Sequence, residues 1–210
     1  LLTGEHTTAT FDVSARPRRV VFDPGSDIPV ARDRWAAWAN LTERWPEACI
    51  VHGTSRAIEA QRTLALRLQT TLADAFTEQL VPVFKDCEIT EEALRSRDLV
   101  LVGGPRDNTV VARAWEALGT SAPAELGDGF FRCRGKTHAG ANDGLYVALP
   151  SPFAPDRLVW LFAGNSVQAL YDMTRNNIPG LPSWAVFHGD EAKEQGYHPV
   201  ARFVFEGPPG

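Results

Sequence analysis

The sequence predicts a three-layer α/β fold, a mainly parallel sheet with helices on both faces, preceded by a small β segment. Three observations predict it. From residue 47 onward short apolar runs alternate with stretches of helical period, which is the pattern of strand–helix–strand units. Asp98-Leu-Val-Leu-Val102 is apolar at nearly every position, as a strand buried on both faces must be. And three loops of one design, VHGTS, VGGPRDN and FAGNS, each carry the chain from the end of an apolar run into the start of a helical one.

Residues 1–30 alternate apolar and polar around Phe11, Val13, Val20 and Phe22, and Pro and Gly close each run. They read as a hairpin or as the last strands of an upstream β-sandwich. Residues 31–46 place Trp35, Trp38, Leu41 and Trp45 at spacings of three, three and four, which is an amphipathic connecting helix with an aromatic face. Ala48 to Val51 opens the α/β domain, assigned to residues 47–210. Leu64, Leu68, Leu72 and Phe76 then recur every four residues, and LVPVF begins a second strand at Leu80. ITEEALRSR predicts a short helix with Thr90 as N-cap. Pro105 to Leu118 gives a further helix, with Val110, Ala114 and Leu118 on one face and Pro105 suited to its first turn. Farther on, strands are expected at 129–133, 144–149 and 157–163, and a helix from Ser166 to Asn176 that Pro179 and Pro182 stop. Antiparallel strands extend the sheet there, and SWAVF and ARFVF close it.

Composition bounds the function. The 210 residues are 44% hydrophobic and 22% charged, enough for one sizeable core. A net charge of −5 offers no footprint for nucleic acid or an anionic membrane, both of which need clustered Lys and Arg. No run approaches the roughly 20 apolar residues of a spanning helix. The chain begins at Leu1 and its one methionine is Met173, so it reads as a piece of a longer polypeptide. Cys49, Cys87 and Cys133 are widely spaced and lack the C-x-x-C pairs of zinc or redox sites, and Cys49 reads as a small buried hydrophobe.

The three loops carry the residues best suited to chemistry. If their strands are parallel, the loops share one edge of the sheet, where ligands bind at the reversal of strand order in flavodoxin- and Rossmann-like folds. The candidate ligand-binding residues are Gly53, Thr54, Gly103, Gly104, Asn108, Gly164 and Asn165. Their backbone N–H groups and polar side chains suit a small polar or anionic ligand. The same residue types are ordinary caps and turn formers, which is the simpler account. GGPRDN is neither a dinucleotide fingerprint nor a P-loop. The histidines have no H-E-x-x-H and no pair at i and i+4, so neither a metal nor a cofactor is expected. HAGAND and FHGDE place His near Asp and would complete a catalytic set only through tertiary proximity.

Gly53-Thr54-Ser55-Arg56-Ala57 differs at its last position from the G-x-S-x-G elbow, which raises Ser55 as a nucleophile. The elbow of an α/β-hydrolase comes after several strands, however, whereas this turn follows the first. Thr54 or Ser55 as an N-cap is the simpler reading, and a serine hydrolase using Ser55 stays as an alternative.

The ordered segments IVHGTSRA, VPVFKDCEIT, DLVLVGGPRDNTVVAR, LPSPFAPDRLVWLFAGN and LPSWAVFHGD resemble the C-terminal α/β accessory domain that follows the catalytic part of certain secreted bacterial hydrolases. Their parents include zinc aminopeptidases and prolyl-oligopeptidase-like esterases. The resemblance covers roughly residues 47–205. ATFDVSARPRRVVFDPGSD is similar to the closing strands of the β-sandwich in thermolysin-like aminopeptidases, which favours an aminopeptidase parent. This implies a non-catalytic accessory domain, secreted or periplasmic, that docks on the upstream catalytic domain of the same polypeptide or shapes access to its active site. It also places the zinc ligands and glutamate base upstream of Leu1 and assigns no role to Ser55.

Overall fold

Twelve of the expected strands and helices are present near their predicted places, but the sheet they build is mixed rather than mainly parallel. The computed structural model describes residues 37–76, 78–175 and 181–198. The β segment assigned to residues 1–30, the first part of the 31–46 helix and the closing strand ARFVF lie outside these residues.

Helix α1, Trp38–Arg44, buries Leu41, and the short 3₁₀ turn after it buries Trp45. Strand β1, Ala48–His52, runs into helix α2, Ile58–Phe76, and then into the three-residue strand β2, Val83–Lys85. Pro82 delays that strand to residues beyond the expected start at Leu80. Helix α3, Glu91–Ser96, is capped as predicted, the Thr90 hydroxyl accepting from the Ala93 amide at 3.1 Å. Strand β3 is Asp98–Val102, and helix α4 is Thr109–Leu118. Pro105 stands in the turn before α4 rather than in its first helical turn.

Three short strands, β4 (Ala124–Leu126), β5 (Phe131–Cys133) and β6 (Lys136–His138), pair antiparallel in a separate small sheet. Strands β7 (Asp143–Pro150) and β8 (Leu158–Gly164) follow, then helix α5 (Val167–Met173) and strands β9 (Trp184–His188) and β10 (Glu191–Gly196).

The main sheet has the order β10-β9-β7-β8-β3-β1-β2. Strands β2, β1, β3 and β8 are parallel, whereas β7, β9 and β10 are joined to the rest by antiparallel pairings. The flavodoxin/Rossmann-like expectation is therefore corrected. The reason lies in the burial of β7 and β8. Antiparallel strands usually declare themselves by alternating apolar and polar residues, because one face meets water. Here Leu145 to Leu149 and Leu158 to Ala163 are buried at every position, so the antiparallel strands expected in the second half are present, but their weight in the sheet is not marked by alternation. Helices do lie on both faces, α1, α2 and α5 on one and α3 and α4 on the other, where the small sheet joins them.

Alternate residues of each central strand enter two cores. Ala48, Ile50, Val100, Val102, Trp160 and Phe162 pack beneath α1, α2 and α5 with Leu41, Leu68 and Leu170. Cys49, Val51, Leu99, Leu101, Val159 and Leu161 pack against α3, α4 and the small sheet with Leu94, Val111 and Phe131. At the edge where the parallel strands begin, Asp98 is wholly buried. Its carboxylate accepts from Arg44 Nε at 2.6 Å, Arg44 Nη2 at 3.1 Å and the Leu158 amide at 2.8 Å, tying α1, β3 and β8 together. A buried carboxylate needs this paired and bonded arrangement to remain charged.

Candidate functional site

The candidate residues lie at the opposite edge, beyond the carboxyl ends of β1, β3 and β8. Because these strands are parallel neighbours, the loops at 53–57, 103–108 and 164–166 share one edge of the sheet. Strand order reverses between β1 and β3, since the chain leaves β1 for β2 on one side and returns to β3 on the other. This is the place where open α/β sheets offer a crevice.

Backbone fills much of the space between the first two loops. The Ser55 amide donates to the Asp107 carbonyl at 3.1 Å. A Cβ at Gly53 would stand 2.2 Å from that same oxygen, so only glycine permits this approach. Gly103 has φ +101°, and Gln61 Oε1, on the buried side of α2, accepts from the Gly53 amide at 3.1 Å while lying where a Gly103 Cβ would go. Gly104 is less confined; its amide donates to Asp107 Oδ2 at 3.2 Å, which closes the turn.

Asn108 is fully buried and uses both ends of its amide. Its Oδ1 accepts from the Val110 and Val111 amides at 3.0 and 3.2 Å, capping α4. Its Nδ2 donates to Val51 O at 3.1 Å and Val102 O at 3.0 Å, carbonyls at the carboxyl ends of two adjacent strands. Cap and strand clamp are thus one side chain, with both donors and both acceptor positions used.

Neither Thr54 nor Ser55 caps α2, which begins only at Ile58, after Ala57 at φ +45°. The Thr54 hydroxyl instead donates to Asp86 Oδ1 at 2.5 Å. The nearly buried Asp86 carboxylate also accepts from the Thr109 amide at 2.7 Å through Oδ2. Asp86 fastens the 53–57 loop to the first turn of α4, a role nothing in FKDCE announces.

The third loop turns away from the other two. Asn165 Nδ2 donates to His138 O at 3.2 Å and Gly140 O at 2.9 Å, and its own amide donates to Asp143 O at 3.0 Å. Ser166 caps α5, accepting from the Ala169 amide at 3.0 Å. A Cβ at Gly164 would stand 2.9 Å from Leu170 N and Ser166 O, so this glycine admits the helix. HAGAND and FHGDE meet here: His188 Nδ1 lies 2.9 Å from Asp143 Oδ1 across β7 and β9, with the imidazole 60% exposed. Ser55, which follows β1, is three strands away from Asp143 and four from His188, roughly 14 to 19 Å at the usual strand spacing of about 4.8 Å. His52, next to the loop, donates from Nδ1 to Gly53 O at 3.1 Å.

One cluster here has no signature in the sequence. Arg56 Nη1 lies 3.0 Å from Asp128 Oδ1, and Arg106 Nη1 lies 2.7 Å from Asp128 Oδ2. The two guanidinium groups come from the two loops that meet at the reversal of strand order. Asp128 comes from the tip of the β4–β5 hairpin, where the Gly127 amide donates to Phe130 O at 2.9 Å. Among the described residues no group of three or more His, Cys, Asp or Glu side chains is arranged to hold a metal ion. Nor is any described helix long and apolar enough to cross a membrane. In comparison with known proteins, no family model matches the chain and no curated protein matches it.

Proposed function

We propose that the chain is a non-catalytic accessory domain of a larger secreted hydrolase, a zinc aminopeptidase by preference, and that it docks on the catalytic domain upstream in the same polypeptide or shapes access to its active site. The observation that carries this reading is where the polar groups of the strand-to-helix loops are directed. Asn108, Asn165, Thr54 and the Gly53 amide all bond within the fold, so they hold loops and helices in place. The distance from Ser55 to the Asp143–His188 pair supports it too, since a serine nucleophile needs a base within hydrogen-bond reach. The parent rests on the resemblance of the quoted segments alone.

An activated-serine probe and a chromogenic aminoacyl substrate, applied to this chain, are expected to give neither labelling nor turnover. Labelling lost in Ser55→Ala would overturn the reading. Docking is tested by hydrogen exchange on the chain alone and within its full polypeptide. Added protection on one continuous face is expected, whereas identical exchange in the two settings excludes docking.

A second reading, a binding site for a small polar or anionic ligand at the same edge, is favoured by the meeting of Arg56 and Arg106 there.

A further inference from the structure

We infer that Arg56 and Arg106 form a binding site for a phosphate group at the reversal of strand order, and that Asp128 occupies it as an internal, displaceable anion. The inference rests on the second reading above and gives it residues and a ligand class.

One carboxylate takes one guanidinium on each oxygen, at 3.0 and 2.7 Å, so an oxyanion with two free oxygens satisfies both arginines at once. The bases of the two arginines are fixed relative to each other by the Ser55–Asp107 hydrogen bond and the close approach at Gly53. Asp128, by contrast, sits on a hairpin tip, and all three side chains are about half exposed, at 50%, 58% and 48%. Solvent therefore reaches the cluster. The arginines stay at the sheet edge if the tip withdraws, because neither belongs to the hairpin.

Charge decides the ligand class. Asp128 brings a single negative charge, while a phosphate monoester brings close to two and an additional acceptor oxygen. Against it stands the tethering of Asp128, which keeps a carboxylate at high local concentration. Each exposed pair is weak, so removing Asp128 is expected to tighten phosphate binding by roughly twofold to thirtyfold.

The test titrates inorganic phosphate, at constant ionic strength, into ¹⁵N-labelled wild type, Asp128→Ala and the triple variant that adds Arg56→Ala and Arg106→Ala. Constant ionic strength matters because exposed pairs are screened by salt. Dispersed amide spectra establish that each variant is folded. Saturable shifts at residues 54–58 and 104–108, tighter in Asp128→Ala than in wild type and lost in the triple variant, are expected. Equal affinity in wild type and Asp128→Ala overturns the inference, as does binding retained by the triple variant. The absence of saturable shifts in Asp128→Ala overturns it as well. The broader ligand reading falls separately, if uncharged polar ligands also leave the amides of all three loops unmoved.

Discussion

Asn108 shows how much a single side chain can hold at a loop. Asn108→Ala removes a helix cap and leaves Val51 O and Val102 O without their donor, so a loss of about 2–4 kcal/mol is expected from urea unfolding. Asn108→Asp keeps the cap acceptor but turns a carboxylate oxygen toward two carbonyls, and it should cost at least as much. Thiol reactivity separates the cysteines. Burial pushes the Cys49 thiol up to about 12 and raises that of Cys133, whereas Cys87 is exposed. A thiol-exchange reagent should therefore modify one cysteine rapidly in the native protein and the other two only on unfolding. His198 donates from Nε2 to Ala148 O at 2.8 Å, and its pKa lies below the ordinary value because burial outweighs that hydrogen bond. Between the two values the unfolded chain binds more protons. The contribution of His198 is thus present above about pH 6.5 and is lost as pH falls through the folded value. Urea midpoints at pH 7.5 and 5.5 should differ less in His198→Gln than in wild type.

At the scale of elements, the contact between the 53–57 and 103–108 loops is the joint that sets the candidate site. Gly53→Ala drives a methyl group into the Asp107 carbonyl and is expected to cost about 1–3 kcal/mol, read as a lower thermal midpoint. Gly104→Ala meets only Asp107 Oδ2 at 3.5 Å and serves as the tolerated control. Much of this level was legible in the sequence. Strands β1 and β3 are runs with every residue buried, Thr90 and Ser166 cap the helices that follow them, and the three loops reach one edge as their shared design implied. What escaped was short or polar. Lys136–His138 and Glu191–Gly196 lack a buried apolar row, so no period distinguishes them from loops. Arg56, Arg106 and Asp128 escaped for another reason: residues 22 and 72 positions apart meet only through tertiary structure.

For the molecule as a whole, the balance between parallel and antiparallel pairing was the feature least visible in the sequence: antiparallel strands are expected in the second half, but not as three of the seven in one sheet. Two cores, one on each face, bury β7 and β8 as completely as β1 and β3, and that uniform burial removes the alternation that would mark how much of the sheet is antiparallel. The antiparallel addition also decides which strand stands at this end of the sheet among the described residues. Among the described residues, β10 has no neighbour on its outer side, and its sequence EAKEQG shows an irregularity between Ala192 and Glu194. An open strand edge is a template on which a second copy can pair and from which aggregates grow. Glu191 and Lys193 put opposite charges on that edge, and Glu194 is held by Lys136 from the small sheet at 2.8 Å. Self-association through β10 would have to strip water from these charges. Replacing Glu191 and Lys193 together with valine should leave the thermal midpoint nearly unchanged, yet make the protein form concentration-dependent, β-rich oligomers visible by light scattering. The polar strand that the sequence failed to announce is thus the one that guards this edge of the sheet as the described residues form it.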